Sequence, residues 1–224
     1  MYKRPKSLLY MNHHKLLNTA FILSIITIVY NVIEGLISVY FGLDDEALSL
    51  LGFGSDSFVE VISGIGIAHM VYRMKRTNVE QRDQFERQAL RITGVAFYIL
   101  TFGILAGAVI NLIQQSKPVT TVPGLIISGI SILTMYFLLK YKLSVGKKLN
   151  SDAIIADANC TKSCLYLSII LLASSGLYEI FKIGYIDILG SLGIAWFAFK
   201  EGREAFEKVR SNKLACCCNN NCNN

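Results

Sequence analysis

Charge is scarce in this chain. Asp, Glu, Lys and Arg make up 17% of its 224 residues, against about 25% in an average soluble domain. Hydrophobic residues make up 53%, and the mean hydropathy is +0.45. That balance excludes an ordinary soluble domain. Proline is also rare, and two of the three fall between Gln115 and Pro123, which reads as a loop. No Cys-x-x-Cys pair occurs among the six cysteines, so the usual spacing of a thiol redox centre is missing. What is present is a series of apolar runs approaching the ~20 residues needed to cross a bilayer. The first is followed by several more, so it reads as a spanning helix and not as a cleaved signal peptide.

Basic residues are missing from alternate connections. Of the 22 Lys and Arg, 19 fall in four groups: 3–15, 73–91, 140–148 and 200–213. The intervening connections hold only Lys117 and Lys182, with Lys162 left over. This alternation is the positive-inside pattern, and it predicts six crossings with both termini cytoplasmic. It also accounts for the net charge of +6 and the pI of about 9.0, so no nucleic-acid partner is expected.

The predicted fold is therefore an all-α integral membrane protein, a six-helix bundle. Residues 1–15 read as a cytoplasmic arm, 16–205 as the membrane domain and 206–224 as a cytoplasmic Cys/Asn-rich tail. The helices are expected at about 16–41, 47–72, 92–113, 125–141, 152–177 and 186–199. In the third, Gly103-Ile-Leu-Ala-Gly107 would allow close helix approach, at a dimer face or within the bundle. The adjacent His13 and His14 cannot face one way on a helix, and His69 reads as interfacial.

The most informative stretch is Asp152-Ala-Ile-Ile-Ala-Asp157-Ala-Asn-Cys160-Thr-Lys-Ser-Cys164. Asp157, Cys160 and Cys164 stand at i, i+3 and i+7, one face of a helix. The apolar remainder, 165–177, is too short to span alone. The polar half must then lie at membrane depth, buried against other helices. Two thiols alone would be unremarkable core residues. On the second helix, Asp56 and Glu60 stand at i and i+4 among apolar neighbours. Like charges so placed repel, and the cost grows within a membrane unless a cation or protons compensate. Glu34 on the first helix is a third intramembrane carboxylate, read as a packing or pathway residue. Asp157 reads the same way. Lys162 is expected to snorkel to the interface or to pair with Glu34 or Asp157.

Two carboxylates and two thiols, each pair spaced i, i+4, make a candidate four-ligand site: Asp56, Glu60, Cys160 and Cys164. Such a donor set suits a tetrahedral, borderline-to-soft ion such as zinc or cadmium. A thiol binds metal only after losing its proton, which offers a direct route to proton–metal exchange. The tail contributes Cys216, Cys217, Cys218 and Cys222. These could bind a soft metal, carry acyl groups or be plain low complexity. Their spacing is not that of a structural zinc site.

Six helices, cytoplasmic termini and paired donors on helices 2 and 5 resemble the transmembrane domain of the cation diffusion facilitator family. The residues carrying the resemblance are Asp56 and Glu60 in DSFVE, Cys160 and Cys164 in ADANCTKSC, Asp187, and Glu201-Gly202. Glu60 replaces the family's Asp, and the two cysteines replace its His and Asp. The resemblance implies a non-enzymatic transporter that exports divalent cations, often zinc, in exchange for protons, and that assembles as a homodimer. It also implies a cytoplasmic metal-binding domain, for which only some two dozen residues follow helix 6. The function expected is export of a zinc- or cadmium-like cation across the cell (inner) membrane by alternating access, with the metal as cargo and no permanent cofactor. The alternative is a membrane metal sensor or sequestering protein that binds through its tail without transporting.

Overall fold

The helices extend beyond the edges of the apolar runs. The computed structural model describes residues 6–77, 84–114 and 117–211. Among them are six helices and no strand: α1 (Lys6–Asp44), α2 (Leu48–Thr77), α3 (Gln84–Gln114), α4 (Val122–Leu149), α5 (Asp152–Phe181) and α6 (Gly184–Ser211). All six are longer than their apolar runs suggest. Part of the expected N-terminal arm is helical, from Lys6 onward, and α6 continues well beyond Phe199. Hydropathy detects only the segment that matches the bilayer, while backbone hydrogen bonding continues through charged flanks until a cap stops it. Pro123 sits in the first turn of α4, where its missing N–H costs nothing. Asn150 then ends α4 in the left-handed conformation, with φ 49° and ψ 43°. Ser151 starts α5 directly after it.

Five of the helices, α1 to α5, are long and apolar enough to cross a membrane. In α6 the apolar run lies between Asp187 and the charged series from Lys200, which leaves it shorter. Large apolar side chains such as Ile99, Phe102, Leu133 and Trp196 point outward. An outward apolar surface on this scale belongs in lipid. The chain is an integral, multi-pass membrane protein.

The helices pair chiefly as α1 with α2, α4 with α5, and α3 with α6, and α2 also packs on α3, α5 and α6. One core joins α1, α2, α4 and α5 through Leu17, Met70, Met135, Ile154 and Cys164. A second joins α2, α3, α5 and α6 through Phe53, Ile104, Leu171 and Ile194. The α1–α2 contact is close because both sides offer glycine. A Cβ on Gly54 would lie 2.7 Å from Ser38 Cβ, and one on Gly42 would lie 2.6 Å from Leu51 N. The expected GxxxG of α3 does not act as one packing face. Gly107 meets Leu48, whereas Gly103 faces open space.

The start of α2 is held from α6. Asp187 accepts hydrogen bonds from the backbone N–H groups of Leu48 (2.9 Å) and Ser49 (3.2 Å) and from the Ser49 hydroxyl. It is an N-cap supplied by a distant residue, and it satisfies donors that a buried helix end would otherwise leave unpaired. Asp187 is itself 1% exposed. This tether joins the start of α2, the helix that carries Asp56 and Glu60, to the start of α6.

Candidate functional site

Of the charged groups on α2, Glu60 reaches an internal cavity and Asp56 does not. The cavity is small, about 50 Å³ of space that water-sized molecules can occupy, and it is partly open. Its polar lining includes Glu60, Cys160, Cys164, Asp157, Lys142 and Glu201, with Lys208 toward the C-terminal end of α6. The face predicted on α5 is therefore real: Asp157, Cys160 and Cys164 all look into one space. Glu60 meets that face directly, because the Cys164 thiol donates to Glu60 Oε1 in a short contact. The other oxygen, Oε2, accepts from Asn31 Nδ2 of α1 at 3.0 Å. Neither Cys160 nor Cys164 is in a disulfide.

Asp56 lies one turn before Glu60 and is 3% exposed. Its Oδ1 has no hydrogen-bond partner. A buried carboxylate oxygen without a partner is costly. The expected four-residue constellation is thus partly assembled. Glu60 and Cys164 touch, Cys160 shares their cavity, and Asp56 sits apart. Among the described residues, no three His, Cys, Asp or Glu side chains converge closely enough to hold a metal as they stand.

Glu34 is interior, 5% exposed, and forms a separate polar cluster between α1 and α2. Tyr30 donates to its Oε1 at 2.9 Å and Ser57 to its Oε2 at 3.1 Å. Ser57 follows Asp56 directly, so Glu34 is linked to the α2 acids through the neighbouring residue.

One expectation about lysine is corrected, and the alternatives for a second are narrowed. Lys142, grouped by sequence with the basic connection after helix 4, lies inside the bundle at 1% exposure. Its Nζ donates to Asp157 Oδ1 at 2.9 Å and to Thr161 Oγ1 at 3.0 Å. Lys162 pairs with neither Glu34 nor Asp157. It points outward, with its ammonium 5.6 Å from the Tyr166 ring centre. A sequence signal for Lys142 did exist. The buried residues of α4 run Ser128, Ser131, Met135, Leu138, Lys142 and Val145, alternating steps of three and four. Lys142 falls on that stripe. Glu201 lines the cavity and accepts from Ser163 Oγ at 2.6 Å. His69 packs against Phe85, with ring centres 4.7 Å apart, and does not line the cavity. The tail cysteines 216, 217, 218 and 222 and the side chains of His13 and His14 lie outside the described residues.

Comparison with known proteins agrees with this architecture. The family model described as the cation efflux transmembrane domain matches residues 20–212. An uncharacterized transporter of Methanocaldococcus jannaschii is 29% identical over 175 residues, which cover 76% of this chain and 62% of that relative. The chain thus matches less than two thirds of that relative's length.

Proposed function

As this chain belongs to the cation efflux (cation diffusion facilitator) family, we propose that it exports a divalent heavy-metal cation of the zinc or cadmium type in exchange for protons. The observation that carries this reading is the contact between Glu60 of α2 and Cys164 of α5 inside a shared cavity. Asp56, Glu60, Cys160 and Cys164 serve as the ligands. The unpartnered Oδ1 of Asp56 supports its inclusion, since a cation would supply the missing partner. Charge bookkeeping supports the coupling. Cys164 donates to Glu60 and so carries a proton, which it must lose to bind metal. Protons then return to the thiols and carboxyls as the metal leaves. Both termini face the cytoplasm on this reading, in keeping with the basic ends of α2, α4 and α6.

Transport is alternating access around this site, with α2 and α5 exposing it first to one side and then to the other. The test is flux of zinc and cadmium into proteoliposomes under an imposed pH gradient. Asp56→Ala and Cys160→Ala should each abolish most of the flux, while truncation before Cys216 should leave it unchanged. Undiminished flux in both point variants would sink the proposed site. Metal binding that survives in them, but vanishes on truncation without any flux, would favour the sequestering alternative.

A further inference from the structure

One pair of charges in the cavity lies outside the proposed ligand set. Lys142 and Asp157 both line the cavity and form a buried ion pair, with side chains 2% and 9% exposed. Thr161 completes the contact. Asp157 and Thr161 belong to the α5 segment that carries Cys160 and Cys164.

Packing alone does not require this pair. α4 and α5 are already joined by the turn at Asn150–Ser151, by a 2.8 Å hydrogen bond between Ser131 and Ser168, and by Met135, Leu138, Val145 and Ile154 in one core. Replacing a buried ion pair by apolar residues is often neutral or stabilising. An ammonium at this depth is also unfavourable beside a cavity meant for cations. What the pair does change is the donor set that a cation meets. Without Lys142, Asp157 would offer a hard carboxylate one turn from Cys160, and the cavity would lose a positive charge. Hard oxygen donors favour manganese-like ions, and thiolates favour cadmium-like ones.

We propose that Lys142 is a specificity-determining residue: by engaging Asp157 it withholds that carboxylate from the transported cation and keeps the site selective for soft metals. This rests on the transport site proposed above.

The test is competitive binding of Cd²⁺ and Mn²⁺ to purified full-length protein in detergent, measured by equilibrium dialysis with elemental analysis. In K142M the Cd²⁺/Mn²⁺ preference should fall about tenfold or more, the scale of one gained hard-oxygen ligand. The double variant K142M/D157N, which removes both charges, should restore the native preference. Lys142→Ala, which also removes the donor from Asp157, should shift the preference in the same direction and serves if K142M does not fold. An unchanged ratio in K142M or K142A, with Cd²⁺ binding retained, overturns the inference alone. So does an equal fall in single and double variants, which would mark a packing effect. If the native protein binds neither metal, the transport site itself fails and this inference with it.

Discussion

The thiol of Cys164 on α5 hydrogen-bonds to the carboxylate of Glu60 on α2, although the two residues are 104 positions apart in sequence. Nothing local brings them together. α5 presents Cys164 on the face shared with Asp157 and Cys160, and α2, capped at its N-terminus by Asp187, presents Glu60. On the proposed reading a proton occupies this contact in the metal-free site, and the metal takes its place.

The cap from α6 carries the first prediction. Asp187→Ala removes the acceptor for the N–H groups of Leu48 and Ser49. Leaving buried donors unsatisfied costs about 1–3 kcal/mol each. Thermal unfolding in detergent should show a clear loss of stability. Asp187→Asn keeps one carbonyl acceptor and should recover part of it. If Asp187→Ala melts like the native protein, the cap does not hold α2.

The second prediction concerns the α1–α2 seam. A methyl on Gly54 would stand 2.7 Å from Ser38 Cβ and 2.8 Å from Val39 N. Backbone is on one side of that clash, so the helices must separate. Gly54→Ala should destabilise the protein by about 1–3 kcal/mol, as overpacking does. It should also weaken metal binding, because Asp56 follows two residues later. Gly103→Ala meets nothing within 4 Å and should stay within about 0.5 kcal/mol of native. Equal effects at the two positions would contradict the close approach.

Much of this was legible from particular residues. The step pattern of Asp157, Cys160 and Cys164 gave their common face, because α5 is a regular helix through that stretch. Glu60 was legible for the same reason. Spacing pairs Asp56 with it, yet Asp56 does not line the cavity. Lys142 was misplaced because charge near a helix end ordinarily signals the interface. Its position on the buried stripe of α4 competes with that rule, and here it wins through the Asp157 partner. Asp187 was noted at the start of helix 6, but its role as the cap of α2 depends on a contact across 139 positions. No local pattern encodes such a contact. The helix ends ran past the apolar segments because hydropathy measures lipid depth and not backbone pairing.

A third prediction uses a group outside the spans. Asp45, between α1 and α2, has a buried Oδ2 without a partner. Burial, then the nearby charges of Asp44 and Glu179, push its carboxyl above the usual carboxylate range. A carboxyl raised on folding favours the protonated form, so it costs stability at neutral pH. The cost fades as pH falls through the folded value toward the unfolded one. Asp45→Asn should therefore raise the Tm at pH 7.5. The gain should shrink toward zero near pH 4, where aspartate protonates in the unfolded chain. A gain that is constant with pH would contradict this.

Displacement by metal of a proton shared by Glu60 and Cys164 is the step on which the proposed exchange rests. Protons released on Cd²⁺ binding to purified protein in weak buffer measure it most directly, read alongside the ultraviolet thiolate-to-metal charge-transfer band. About one or more protons should be released per metal bound in the native protein. Cys164→Ser should release fewer and show a weaker band, and Glu60→Gln should bind less tightly. Cd²⁺ binding of native affinity in both variants, with unchanged proton release, would contradict it.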